Sequence, residues 1–547
     1  MMKVHTEGRS DSVGLLFFVA ILVAVVIFIF PLTLAFPLLD PDEGLHASIA
    51  QEMVERGNWV VPTLFGQPFL DKPILYFWVQ AASLHFFGIS ETSVRLPGLL
   101  FGLLGTITTG LLAWRLFDRR MGLIASILYS TTILPTALAQ AASHDVALIP
   151  WINLALLMFW EAEHTTSHRM VLRYTIGAGI FLGLSILTKG LTGIAVVGLA
   201  YGSYLMITRR LQRAIVFRGM VALTLAGLVA SPWYFWVEIH QPGYLRYFFI
   251  DRHLMGLVTD MQPHGDQPWW YYLPFLFGGG LPWIGYLPIV MQNRRNFGDD
   301  SGVQVLLWSW LIGWTVLITL AGSKLATYLW PAFPPIAILA ATAWNDLLGD
   351  SLVAAARKSF MRTFIFSSST GPIVLPAAVY AVQKIYDVRF SPFTWAAVGV
   401  VALLTLVPLI PWRRGRIEAS LALAALSLAG QFLVVMALIL PQVAETCSAR
   451  LLAEHFNRRS QMPARLFLVE GRIGSLVYYL DPEMRRQLTP DRIQQTLAKE
   501  LPTFRPGDMI AIQEWKTPKL QKYLDVRQHP YTSIGVYRLY DAVSAAP

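Results

Sequence analysis

About thirteen stretches of some twenty mostly apolar residues recur along the chain, and a run of that length is what a helix needs to cross a bilayer. They fall roughly at 13–36, 95–116, 121–140, 144–162, 173–188, 190–208, 219–239, 272–291, 303–321, 328–344, 363–383, 394–411 and 417–440. Lipid offers the backbone no hydrogen-bonding partner, so each crossing must satisfy its own N–H and C=O groups as a helix. The predicted fold class is therefore an all-α polytopic membrane protein. Only 14% of the residues are charged, against about 25% in soluble domains. The pair either side of Lys189 is short, so tilted or fused helices are the alternative there.

Orientation follows from the basic residues, because short cytoplasmic loops gather Lys and Arg. With the N-terminus inside, the even-numbered connections carry Arg119-Arg120, Arg169 with Arg173, Arg209-Arg210, Arg294-Arg295, Arg357-Lys358 and Arg413-Arg414. All six obey one register. The formal charge of +9 thus reflects topology, and nucleic acid is excluded as a partner. Cys447 is the one cysteine, which rules out an intrachain disulfide. The apolar stretch to Phe36 is too long for a typical signal peptide and reads as a retained first span. This register puts the loop 37–94, the turns at Asp145, Lys189 and 322–327, the loop 240–271 and the chain from 441 onward outside, away from nucleotide donors.

The first outer loop opens on Leu39-Asp40-Pro41-Asp42-Glu43, three carboxylates at a membrane edge. Such groups are costly there unless they face water, a cation or a substrate. Glu43–Arg56 and Ile74–Phe87 read as two amphipathic helices lying on the outer surface. Asp40 suits the role of helix cap, leaving Asp42 as the first catalytic candidate, Glu43 as its support and Asp145 as a second acid on the same face. Capping is the plain alternative for Asp42 and, with Ser143 and His144, for Asp145. Lys72, in Asp71-Lys72-Pro73, is placed to hold a lipid phosphate; a snorkelling lysine paired with Asp71 is its ordinary alternative. Arg246, Arg252, Lys324 and Tyr328 are further substrate-binding candidates, and Lys189 and Lys384 are other outside cations. His253 and His264, with Asp71, Glu43 or His46, form a scattered set for a divalent metal, of which Asp71 and His253 are the retained pair.

Charge rises after residue 440, and short alternating runs appear at Arg465–Glu470, Leu476–Leu480, Asp508–Gln513 and Ser533–Tyr540. Pro482–Lys499 and Pro518–Leu524 read as helices. The predicted organisation is a transmembrane catalytic domain over 1–440 and a soluble α/β domain over 441–547. No phosphate-binding glycine loop, CxxC pair or nucleophile elbow occurs.

Five stretches together resemble the GT-C membrane glycosyltransferases, which use polyprenyl-phosphate sugars. They are Asp40-Pro41-Asp42-Glu43 with Gln51-Glu52-Met53, Gly57-Asn58-Trp59-Val60-Val61-Pro62, Asp71-Lys72-Pro73-Ile74, Thr188-Lys189-Gly190 and Ser323-Lys324-Leu325-Ala326-Thr327-Tyr328. The chain is similar to the protein O-mannosyltransferase-related group, and most similar to the bacterial aminoarabinose transferases that modify lipid A. The resemblance covers about residues 13–345 well. It implies a GT-C fold in the bacterial inner membrane, with active site and tail facing the periplasm. It further implies Asp42 as key carboxylate, Asp145 as second carboxylate, Lys72 on the carrier phosphate and Tyr328 in the loop that shapes the donor cavity. The implied donor is undecaprenyl phosphate-linked 4-amino-4-deoxy-L-arabinose and the implied acceptor a lipid A phosphate, a modification that confers resistance to cationic peptides and polymyxin.

Polyprenyl phosphate is already a good leaving group, so neither a strong acid nor a cofactor is required. An anionic acceptor phosphate needs no base, whereas a Ser or Thr hydroxyl would need Asp42 as one. Transfer of another lipid-linked sugar, such as mannose to protein, is the nearest rival. A secondary transporter would call for mid-membrane charges and an internal repeat, and a scaffold would leave the outer acids and lysines without a task.

Overall fold

The computed structural model describes residues 4–255, 267–293, 301–459, 462–502 and 505–541. Arg294, Arg295 and His264 lie outside them. Among the described residues, nine helices are long and apolar enough to cross a membrane. Two bent pairs raise the number to eleven: Arg119–Ser130 with Ile133–Ala139 at 68°, and Tyr272–Gly279 with Trp283–Gln292 at 88°. The first bend has a local cause. Thr131 and Thr132 turn their hydroxyls back onto the carbonyls of Ile127 and Leu128, and Pro135 brings no N–H to the next helix. The second falls at Gly278-Gly279-Gly280 before Pro282. Leu148–His164 and Thr192–Ile207 are shorter helices of 17 and 16 residues. The segments either side of Lys189 are two helices, broken where Gly190 takes a φ of +61°.

Two further helices, Asp42–Arg56 and Leu75–Phe87, fall where the sequence places its interfacial pair. The first ends at Gly57, whose φ of 67° is the left-handed stop that glycine supplies without steric cost. Between the helices, strands β1 (Thr63–Leu64) and β2 (Gln67–Pro68) form a small hairpin. Glu52 holds it from the first helix, accepting from Thr63 Oγ1 (2.8 Å), Phe65 N (2.8 Å) and Gly66 N (2.7 Å). The second helix is tied at its start by Trp78 Nε1, which donates to Trp59 O at 2.6 Å. These bonds fix the stretch that delivers Asp71 and Lys72.

The last long helical run ends at Cys447. Beyond it, β3 (Arg465–Val469), β4 (Ile493–Thr496), β5 (Asp508–Gln513), β6 (Tyr531–Ile534) and β7 (Tyr537–Asp541) make one mixed sheet in the order β4-β3-β5-β7-β6. β3 runs parallel to β4 and β5, while β7 is antiparallel to β5 and β6. Three expectations are corrected here. Leu476–Leu480 is not a strand: Leu476 to Tyr479 belong to the helix Gly474–Tyr479, and Leu480 follows its end. Pro482–Lys499 is not one helix: a turn of helix at Pro482–Arg486 gives way to β4. Ser533–Tyr540 is a hairpin rather than a single strand. In the first case the tract Val477-Tyr478-Tyr479 has strand propensity, but packing against Asp42–Arg56 decides its state.

Candidate functional site

The carboxylates of the opening stretch part company in the folded chain. Asp42 begins the first interfacial helix with its side chain exposed. Glu43 points the other way and is only 2% exposed. Arg95, from Glu91–Leu116, grips it with two bonds of 2.9 Å, Nε to Oε1 and Nη2 to Oε2. Leu39 N donates to the same carboxylate at 2.8 Å. Arg95 also donates to Phe36 O and Pro37 O, both at 2.9 Å. Glu43 therefore fixes the loop in front of Asp42 rather than facing a substrate, and the catalytic role expected for it is withdrawn. The capping role expected of Asp40 is corrected too. The helix N-terminus has no side-chain cap, and Asp40 accepts instead from the N–H and hydroxyl of Ser475 in the tail.

A cavity of about 520 Å³ has Asp71, Lys72, Asp145, Lys189, Arg252 and His253 among its lining residues. Tyr328 forms part of the wall, and Trp314, Leu317 and Ile318 make an apolar flank. The chain thus brings six of its sequence-predicted site residues, Asp71, Lys72, Asp145, Arg252, His253 and Tyr328, to one space from four separate regions. Arg252 pairs with Asp71 at 2.7 Å, and Tyr247 donates its hydroxyl to the same carboxylate. Lys189 pairs with Asp145, and its ammonium lies 4.5 Å from the Tyr328 ring centroid. Asp42 does not line the cavity, but its charge acts on Lys72, Lys189 and Tyr328.

Two expected substrate contacts are absent from the cavity wall. Lys324 is buried and donates to Ala321 O at 2.9 Å. Arg246 is exposed and lies outside the lining. Lys189 takes the more central place. Its sequence signal is a charge between two apolar runs, within Thr188-Lys189-Gly190.

Burial lowers the pKa of Lys72, with Asp71 opposing the shift most strongly and Asp42 adding to that opposition. An anion entering beside it would favour the charged form further. Behind Asp42 and Asp145 sit two histidines. His46 Nδ1 donates to Ala142 O at 2.7 Å, tying the helix to the Asp145 loop, and its ring centroid lies 4.6 Å from that of His144. Burial lowers the pKa of His46. His253 is also lowered by burial and donates Nδ1–H to Phe248 O at 2.8 Å. Among the described residues no three His, Cys, Asp or Glu side chains converge on one point. Asp71 is already shared by Arg252 and Tyr247, so Asp71 and His253 do not fit a divalent ion between them.

The surroundings of this cavity agree with what the chain resembles. A family model described as dolichyl-phosphate-mannose-protein mannosyltransferase matches residues 71–236, a stretch that holds Lys72, Asp145 and Lys189. The undecaprenyl phosphate-alpha-4-amino-4-deoxy-L-arabinose arabinosyl transferase of Erwinia tasmaniensis is 30% identical over 380 residues, 67% of this chain and 68% of the relative. The chain belongs to this arabinosyl transferase family. The Edwardsiella ictaluri relative of the same description is 30% identical over 346 residues, and the match spans 62% of it, somewhat under two thirds. A Pseudomonas fluorescens relative is 27% identical over 504 residues, 86% of this chain and 88% of the relative. Among solved structures, ArnT from Cupriavidus metallidurans bound to undecaprenyl phosphate superimposes with a TM-score of 0.74 at 22% identity, covering 97% of this chain and 98% of that one. At that identity the likeness is one of fold. The transferase is a polytopic helical membrane glycosyltransferase with a mixed β-sheet tail.

Proposed function

We propose that the transferase moves 4-amino-4-deoxy-L-arabinose from undecaprenyl phosphate to a phosphate of lipid A, on the periplasmic face of the bacterial inner membrane. One observation carries this reading: the cavity joins Lys72, Lys189 and Arg252 to an apolar flank, the two halves needed by a phosphate on a lipid tail. Lys72 and Arg252 hold the carrier phosphate and stabilise the charge that grows on it as the glycosidic bond breaks. Asp42 and Asp145 face the sugar, stabilise positive charge at the anomeric carbon and accept the sugar ammonium. The acceptor phosphate attacks that carbon in a single displacement, and its own negative charge makes a general base unnecessary. The step invokes no cofactor.

The same reading keeps thirteen crossings, with Leu148–His164 and Thr192–Ile207 as the short ones, and a catalytic region up to about residue 440 followed by a soluble periplasmic domain. It rests on the basic doublets sharing one register across the inner loops.

The test is mass spectrometry of lipid A from a strain that makes the donor, with wild-type protein, Asp42→Asn and no protein. The expected result is added aminoarabinose with wild type only. Transfer by Asp42→Asn within a few-fold of wild type would remove Asp42 from the reaction. An unchanged lipid A profile together with mannose on periplasmic proteins would make the protein-mannosyl reading the correct one.

A further inference from the structure

The tail domain meets the catalytic helix backbone to backbone. A Cβ on Gly44 would stand 2.7 Å from the carbonyl carbon of Gly474, and one on Gly474 would stand 2.6 Å from that of Gly44. No real side chain approaches a carbonyl carbon so closely, and backbone cannot move aside as a flexible side chain can. Only glycine at both positions lets Asp42–Arg56 cross Gly474–Tyr479 at this distance. Polar bonds bracket the crossing. Ser475 N donates to Asp40 Oδ1 at 2.9 Å and its hydroxyl donates to Oδ2, while Ser48 Oγ donates to Gly474 O at 2.8 Å. Ser475 is itself set from within the tail, where its Oγ accepts from Ala449 N at 2.9 Å. Tyr479 OH accepts from Leu38 N at 2.8 Å, and Arg485 pairs with Glu55 in the last turn of the catalytic helix. Asp40 and Gly44 flank Asp42 by two residues on either side, so what fixes them fixes where the Asp42 backbone stands in the first turn.

We infer that Gly474 and Ser475 are positioning residues, through which the tail domain holds the first turn of Asp42–Arg56 and sets Asp42 against the cavity. The inference rests on the proposed role of Asp42. Neither residue touches substrate. The cations that hold the carrier phosphate, Lys72 and Arg252, stand on other segments, so donor binding and bond breaking respond differently to a disturbed crossing. Misplacing a reacting group by about 1 Å costs on the order of a hundredfold in rate.

The experiment uses the full-length protein in detergent or liposomes with purified lipid-linked donor and lipid A. Gly474→Ala, Ser475→Ala, Asp42→Asn and Arg465→Gln are compared with wild type for kcat, donor KM and thermal unfolding. Arg465→Gln breaks the Arg465–Asp508 pair inside the tail, away from the crossing, and so measures loss of tail stability alone. Gly474→Ala is expected to lower kcat about ten- to a hundredfold with donor KM within about twofold. Ser475→Ala should follow in the same direction by several-fold and decides the matter if Gly474→Ala does not fold. Arg465→Gln should unfold earlier yet keep kcat within about twofold. A folded Gly474→Ala with near wild-type kcat overturns the inference. So does a fall in kcat that tracks unfolding temperature equally in Gly474→Ala and Arg465→Gln, or a Ser475→Ala protein that behaves as wild type when Gly474→Ala fails to fold. Asp42→Asn separates the two levels. If it transfers normally, the catalytic reading fails; if it is inactive while the crossing variants are normal, only the positioning role fails.

Discussion

Replacing Glu43 by Gln should cost the transferase stability through one buried charge. Arg95 and Glu43 are both buried, and the guanidinium gives two donors to the carboxylate and two to backbone carbonyls. Glu43→Gln keeps the shape but leaves the arginine charge without its counter-charge. Breaking a buried pair from one side costs about 3–5 kcal/mol, which is on the order of a hundred- to a thousandfold or more in the folded-to-unfolded ratio. Arg95→Gln should cost a similar amount, with the carboxylate now the stranded partner. The double variant Glu43→Gln/Arg95→Gln buries no charge at this point, so it should be more stable than the sum of the single losses by at least about 1 kcal/mol. Denaturant unfolding of the purified proteins in detergent, read as a double-mutant cycle, measures this. Strictly additive losses would refute the pairing argument. A Glu43→Gln protein as stable as wild type but unable to transfer sugar would return Glu43 to the reacting groups.

Two further outcomes follow from the site. Lys72→Met should raise donor KM about ten- to a hundredfold, the value of one hydrogen bond to a charged phosphate; Arg246→Gln, exposed and outside the cavity lining, should stay within about twofold in the same donor titration. An equal effect of both would move the phosphate site elsewhere. Burial raises the Asp40 pKa to about 7, against the hydrogen bonds from Ser475 that favour the charged form. A folded pKa above the unfolded value of 3.8 means the folded state binds the proton more tightly. This stability is present below about pH 4 and is lost as pH rises toward 7, by at most about 1.4 kcal/mol per pH unit. Asp40→Asn should remove that slope from the pH dependence of unfolding, and an unaltered slope would show that Asp40 ionises normally.

What could be read from the chain divides along a physical line. Span positions and Lys72, Asp145, Arg252 and Tyr328 were legible because the bilayer imposes length and polarity on each segment separately, so a charge at a helix end on one face stands out locally. The tasks of Glu43 and Asp40 were not legible, although both lie in the most conspicuous stretch. Glu43 is claimed by Arg95, 52 positions on, and Asp40 by Ser475, 435 positions on. Nothing local distinguishes a carboxylate that caps a helix from one that bonds a distant serine, since both need an acid at the same offset. Arg95 did carry a signal, an arginine at the very head of an apolar run, where an unpaired charge is costly if the position is buried. Gly44 carried a weaker one, a glycine in the first turns of a helix where alanine would be the better former. Read together, an arginine at the head of a span and a glycine beside the acids point to a counter-charge and a second backbone arriving from elsewhere. Asp40 and Glu43 hold the loop and the tail, and of the three acids only Asp42 keeps its side chain exposed.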